Sequence, residues 1–154
     1  MKIIPIIISI AIAQSAGAIG SVFTVSSIGT WFEILVKPSW NPPSWLFSPV
    51  WITLYALMGV AAYLVWQQKG SAGIKIALVV YGIHLGFNAL WSILFFGLKN
   101  PGIAFAEIIV LLALIITITI LFWRINTWAG LLLLPYLIWV SFAAFLNYAI
   151  WQLN

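Results

Sequence analysis

Ile108-Ile109-Val110-Leu111-Leu112-Ala113-Leu114-Ile115-Ile116-Thr117-Ile118-Thr119-Ile120-Leu121 is continuously apolar apart from two threonines. A strand of a membrane barrel would alternate apolar and polar residues over about ten positions. This run does not alternate, so it reads as helix. Extended to 102–123 it is long enough for a hydrocarbon core, which takes about 20 residues of helix. Working outward, charged and loop-forming residues cut the rest of the chain into blocks of similar length at 3–25, 45–67, 73–98 and 128–153. The expected fold is an all-α integral membrane protein, a five-transmembrane-helix bundle with a long structured first loop at 26–44. Residues 1–154 form one domain, with nothing left over for a separate soluble activity.

Composition agrees. The chain is 65% hydrophobic and 5% charged, with a mean hydropathy of +1.19, whereas soluble domains carry roughly 25% charged residues. The net charge of +4 comes from cations scattered singly along the chain. They are too sparse for a nucleic-acid surface or a polybasic lipid patch. Cysteine is absent, which excludes disulfides and thiolate ligands.

Lys2, the apolar run after it and Ala11-Ile12-Ala13 imitate a cleavable signal peptide. The apolar character continues through Val25, so the segment is expected to be a retained span. Lys2, Lys69, Lys75 and Arg124 fall on one side of a five-span bundle, against Lys37 and Lys99 on the other. The positive-inside bias then puts the N-terminus inside.

The first loop is no featureless tether. Thr30 with Glu33 suggests a capping box opening a short helix over 31–36. Lys37-Pro38-Ser39-Trp40-Asn41-Pro42-Pro43 follows. Its three prolines fix φ and bias the residues before them away from helix, giving a stiff strap that presents Trp40. Asn126-Thr127 offers an N-cap to the last span, and Pro135 inside that span predicts a kink. No internal repeat is visible, which argues against inverted-repeat transporter designs.

Ten tryptophans stand beside eight charged side chains. Seven lie near block ends, where an indole prefers the headgroup level. Trp51, Trp91 and Trp139 lie inside their blocks, where the N–H needs a protein partner. Trp51 sits about six residues, or ~9 Å, from the outer end of its span. Asn88, Trp91 and Asn147 belong to the same half of the bundle, and Trp139 is near the midpoint. Helical spacing draws three stripes: Trp51, Tyr55, Met58, Ala62; His84, Asn88, Trp91, Phe95; and Trp139, Phe142 or Ala143, Leu146, Ile150. Together they suggest a ligand pocket beneath the strap, with helix–helix packing as the plain alternative. Asn88 reads equally as interhelical glue or as a ligand contact, and Asn147 reads as structural. Gln14 and Ser15 are expected to bond across to another helix.

His84, the one histidine, reads as a packing residue rather than a metal ligand. No metal site and no required cofactor are expected. Glu107 is expected to snorkel or to pair with Lys99. Gly82 and Gly86 form a small-residue notch suited to self-association, with intramolecular packing as the alternative. With no Asp, no Cys and two separated Glu, neither a carboxylate pair nor a nucleophilic triad can be assembled. Any chemistry would be driven by the ligand, with aromatic side chains as redox partners.

Lys37–Pro43, Pro49-Val50-Trp51 and Leu54-Tyr55-Ala56-Leu57-Met58-Gly59 resemble the tryptophan-rich sensory protein/translocator protein (TspO) family, once called peripheral benzodiazepine receptors. Asn88-x-x-Trp91 with Phe95-Phe96-Gly97 is similar to that family's third helix, and Pro135-Tyr136-Leu137-Ile138-Trp139 with Leu146-Asn147-Tyr148 to its fifth. The likeness spans nearly the whole chain with the motifs in order. It implies a bundle, usually dimeric, that binds protoporphyrin IX, related tetrapyrroles and other flat hydrophobic molecules under the first loop. Trp51, Asn88, Ala143 and Trp139 match that pocket by position, and Gly82/Gly86 match a third-helix dimer surface. Some members are implicated in light- and oxygen-dependent porphyrin breakdown, for which Trp51 and Trp139 are the candidates here. One departure concerns sterols. Leu146 and Tyr148 are followed by no Lys or Arg, so tight sterol binding through the family's fifth-helix motif is not expected. The ending without a basic tail looks prokaryotic, implying a bacterial or archaeal cell membrane.

Overall fold

A computed structural model describes residues 3–68 and 70–154. Lys2 and Lys69, two of the charges behind the expected orientation, lie outside them. The elements are α1 (Ile3–Ile28), α2 (Trp31–Ile34), a 3₁₀ turn (Ser44–Leu46), α3 (Phe47–Trp66), α4 (Ile74–Ser92) running into a π-helical turn (Ile93–Gly97), α5 (Pro101–Ile125) and α6 (Thr127–Leu153). Five helices are long and apolar enough to cross a membrane. Their limits fall within three residues of the expected ones, because membrane thickness sets the length of an apolar run.

The helices close a ring in the order α1, α3, α6, α5, α4, with α5–α6 and α1–α3 the most extensive pairings. Glycine sets the α1–α3 distance. A methyl group on Gly59 would stand 2.5 Å from the Ile10 Cα, and one on Gly17 would collide with the Tyr55 ring. Backbones approach this closely only where a side chain is missing. The core inside the ring centres on Met58, Ala61, Leu85, Leu111, Ile115 and Leu133. A smaller cluster of Phe32, Phe95, Phe96, Leu146 and Ile150 lies at the end that carries the first loop.

Caps explain several ends. Asn100 Oδ1 accepts from Ile103 N at 3.1 Å with Pro101 as first residue of α5, and Asn126 Oδ1 accepts from Ala129 N at 3.1 Å. The capping box expected at Thr30 does not form. Helix α1 runs on to Ile28, and the Thr30 hydroxyl donates back to Ser26 O (3.3 Å) and Ser27 O (3.4 Å), closing α1 instead of opening α2. Helix α2 is accordingly one turn, ending at Ile34. Its carbonyls are capped by Lys37 Nζ, 2.5 Å from Phe32 O and 4.7 Å from the Phe32 ring centre. Helix α6 continues through Pro135.

The π turn is a feature the sequence pattern did not signal. Leu98 N donates five residues back to Ile93 O at 2.8 Å. Phe95 and Phe96 within this wider turn are both buried.

Candidate functional site

Trp51 stands one turn into α3, half-buried against the core. Its ring centre is 5.5 Å from Tyr55 and 6.3 Å from Tyr136 of α6. With Gln14, Gly17 and Ser21 of α1, Phe47 and Tyr55 of α3, and Ser92 of α4, it lines a cavity of about 380 Å³ in the half of the bundle nearer the first loop. That volume falls within the range of ligand clefts, ~300–1,000 Å³. Gln14, Ser21 and Thr24 of α1 supply polar groups, with Ser48 of α3 and Ser92 of α4. Gln14 Nε2 donates across to Ile52 O at 2.9 Å, the interhelical bond expected of it. Ser15 instead turns back to Ile12 O at 2.6 Å, because its face of α1 looks away from the bundle.

Behind Trp51 runs a buried polar chain. The Tyr55 hydroxyl donates to Asn88 Oδ1. Asn88 Nδ2 donates to the Tyr136 oxygen at 2.7 Å. Tyr136 lies 2.8 Å from His84 Nε2, and His84 Nδ1 lies 3.1 Å from Tyr81 O. His84 and Tyr136 are wholly buried, and Asn88 is buried too. Asn88 therefore ties three spans together, and His84 sits between two tyrosine rings, 5.5 Å from Tyr81 and 5.4 Å from Tyr136. Among the described residues no cluster of His, Asp and Glu is arranged to hold a metal.

The remaining aromatic residues fall into two further groups. Trp139 packs on Phe47 (6.1 Å) and Phe142 (5.6 Å), and Phe142 meets Trp40 of the strap at 5.8 Å. Phe47 thus bridges the Trp51 cavity to a Trp139–Phe142–Trp40 stack, with half-buried Ala143 next in sequence. Trp91 stacks on Phe95 at 5.0 Å, and its Nε1 donates to Asn147 Oδ1 at 3.0 Å. Asn147 Nδ2 reaches Pro101 O at 2.7 Å, and Leu146 is buried in the cluster of Phe32, Phe95 and Phe96. Asn147 of α6 thus bonds to α4 through Trp91 and to α5 through Pro101. The indole N–H of Trp51 and of Trp139 has no acceptor among the described residues.

The strap lies over this end. The Asn154 side chain accepts from Val36 N and donates to Val36 O, both at 3.0 Å, so the last residue of the chain latches the loop by its backbone. A larger, mostly apolar groove of about 510 Å³ opens in the other half of the bundle, between α1, α3 and α4. Gly82 borders it. A methyl group on Gly82 or Gly86 would meet nothing within 4 Å among the described residues, so the notch faces outward and does not serve packing within the chain.

One charge expectation is overturned. Glu107 neither snorkels nor pairs with Lys99: it is buried, and neither carboxyl oxygen has a hydrogen-bond partner among the described residues. It shares a face of α5 with Ala104, Ile108 and Leu111, which α5 turns into the bundle. Sequence reasoning also missed Tyr136, Phe47 and the α1 wall. Tyr136 was within reach, since it continues the Trp139 stripe one turn inward at i−3. The α1 residues carry no comparable signal, because small polar side chains recur all along that helix.

A ring of five apolar helices under a latched loop, with a tryptophan-bordered cleft between α1, α3 and α4, defines an integral multi-pass membrane protein. The TspO/MBR family model matches residues 9–152, and the chain belongs to that family. It is 43% identical to the tryptophan-rich protein TspO of Archaeoglobus fulgidus over 155 residues, covering 100% of this chain and 99% of that one. It is 42% identical to a tryptophan-rich sensory protein of Cereibacter sphaeroides, over 80% of this chain and 77% of the relative. With the translocator protein of Ovis aries it shares 38% identity, over 93% and 86% of the two chains.

Proposed function

We propose that the protein is a membrane receptor or sensor-like binding protein for porphyrins, protoporphyrin IX and related tetrapyrroles, and for other flat hydrophobic molecules. The observation that carries this reading is the Trp51 ring on the wall of the 380 Å³ cavity between α1, α3 and α4. A macrocycle there gains mainly from apolar burial, at about 25 cal/mol per Å², and from stacking on indole. Trp51 and Tyr55 form its inner face. Trp139, Phe142, Ala143 and Trp40 extend the aromatic surface toward the strap. Asn88 and His84 support that face from behind, and Trp91, Leu146 and Asn147 hold the outer end together. The sensory and translocator names of the relatives agree with a ligand-responsive role.

The test is a protoporphyrin IX titration of the purified protein followed by tryptophan quenching. Saturable quenching, weakened by Trp51→Phe, is expected. Indifference of both affinity and quenching to Trp51→Phe and Trp139→Phe would reject the site. The continuous aromatic contact around Trp51 favours one alternative, light- and oxygen-dependent porphyrin breakdown. Product formation under light and air above that of free tryptophan tests it. Translocation, the other alternative, is tested by porphyrin flux into sealed proteoliposomes.

The outward-facing Gly82/Gly86 notch supports a homodimer through α4, with membrane lipid filling the neighbouring groove. A bacterial or archaeal cell membrane, with the N-terminus inside, completes the reading.

A further inference from the structure

The buried polar chain has a direction. A carbonyl only accepts, so His84 Nδ1 carries the proton shared with Tyr81 O, and Nε2 is left as an acceptor. The group facing Nε2 is the Tyr136 hydroxyl, which must donate to it. That hydroxyl then offers Asn88 only lone pairs, which is why Nδ2 faces it and Oδ1 faces Tyr55. The hydrogen bonds close in one arrangement, running from Tyr55 through Asn88 and Tyr136 to His84.

Trp51 is in ring contact with both phenols of this chain. The two differ in where a proton can go. A phenol that loses an electron becomes a strong acid and sheds its proton in the same event. Tyr55 faces an amide oxygen, a very weak base. Tyr136 faces an imidazole nitrogen with a free lone pair, the side-chain base whose proton affinity suits such transfers.

We infer that Tyr136 is the electron donor that re-reduces an oxidised Trp51, with His84 taking its proton. The inference rests on the tetrapyrrole reading for its oxidant alone: a photoexcited tetrapyrrole against Trp51 accepts one electron from the indole. The Trp51 radical cation then takes one electron from Tyr136. The Tyr136 O–H bond breaks and an N–H bond forms at His84 Nε2. The products are neutral Trp51, a neutral tyrosyl radical and an imidazolium. A positive charge moves from indole to imidazole and none is created in the hydrocarbon, where a new charge is costly. The bond from Nδ1 to Tyr81 O is already in place to stabilise the imidazolium. When the reduced tetrapyrrole returns its electron to Tyr136, the proton goes back along the same bond. The oxidising equivalent is thus drawn off the cavity wall, and the indole survives repeated excitation.

The experiment is laser flash photolysis of the full chain in detergent, with zinc protoporphyrin IX as the probe and its binding measured separately by tryptophan quenching. A second arm omits tetrapyrrole and photoionises tryptophan directly, taking the difference between wild type and Trp51→Phe. In both arms a tyrosyl radical should rise as the tryptophan radical decays, more slowly in heavy water. Tyr136→Phe should abolish the tyrosyl signal. His84→Gln, which keeps an acceptor but no base, should lengthen the tryptophan radical's life by about tenfold, equivalent to ~1.4 kcal/mol of barrier. Tryptophan radical decay without a tyrosyl signal in wild type overturns the inference. So does a tyrosyl signal that survives Tyr136→Phe, or the absence of a heavy-water effect, which is read on wild type even if His84→Gln fails to fold. Failure of zinc protoporphyrin to bind removes the ligand reading, and the photoionisation arm still decides the relay.

Discussion

Truncating Asn88 to alanine should destabilise the bundle, and removing a second polar group should then restore part of the loss. Asn88 accepts from Tyr55 and donates to Tyr136. After Asn88→Ala, Tyr136 keeps His84 as partner, but the Tyr55 hydroxyl, on a residue 6% exposed, has lost the acceptor that held it. A stranded buried donor costs about 1–3 kcal/mol. The lost interhelical bond to Tyr136 adds ~0.6 kcal/mol, the average for such bonds in membranes. The single variant should therefore lose about 1.6–3.6 kcal/mol. Tyr55→Phe alone strands only one carbonyl lone pair and should cost about 1 kcal/mol. In the double variant the stranded donor no longer exists, so Asn88→Ala/Tyr55→Phe should be more stable than Asn88→Ala. Reversible unfolding in mixed micelles, read as a double-mutant cycle, measures the coupling. Additive losses, or a double variant weaker than both singles, would refute the assignment of Asn88 as the joint between the two tyrosines.

Gly59→Ala should cost about 1–3 kcal/mol by overpacking, because the new methyl meets the Ile10 backbone. A melting temperature unchanged from wild type would show that α1 and α3 are not held this closely. Gly82→Leu with Gly86→Leu should leave protomer melting unchanged while lowering the dimer fraction in native mass spectrometry; loss of protomer stability instead would mean that the notch packs internally. Trp91→Phe removes the donor to Asn147 and should cost about 1 kcal/mol, visible as earlier thermal unfolding, whereas Trp139→Phe removes no such bond and should act on tetrapyrrole quenching alone.

The spans were legible because a hydrocarbon core acts on composition and length, both of which are linear properties of the chain. The inward placement of Trp51, Trp91 and Trp139 followed from helical spacing. What those stripes meet did not follow. Trp91, drawn beside Asn88 on one stripe, turns to Asn147 and the Phe95–Phe96 cluster. Trp139 reaches the Trp51 cavity only through Phe47. The π turn at Ile93–Gly97 changes the helical register, which an α-helical wheel does not anticipate. Glu107 was assigned to the nearest cation in sequence, yet α5 carries it inward on a face set by Ala104 and Leu111.

From its residues alone the chain is committed to a membrane, to five helices and to a proline-stiffened loop bearing tryptophan, since these depend on how much apolar surface must leave water and on what φ proline permits. Which hydroxyl meets which amide was decided only by the assembled bundle. A helix presents its polar groups at an angle and a height that change with every rotation of its neighbours. Here the packing of α3, α4 and α6 brings Tyr55, Asn88, Tyr136 and His84 into one line.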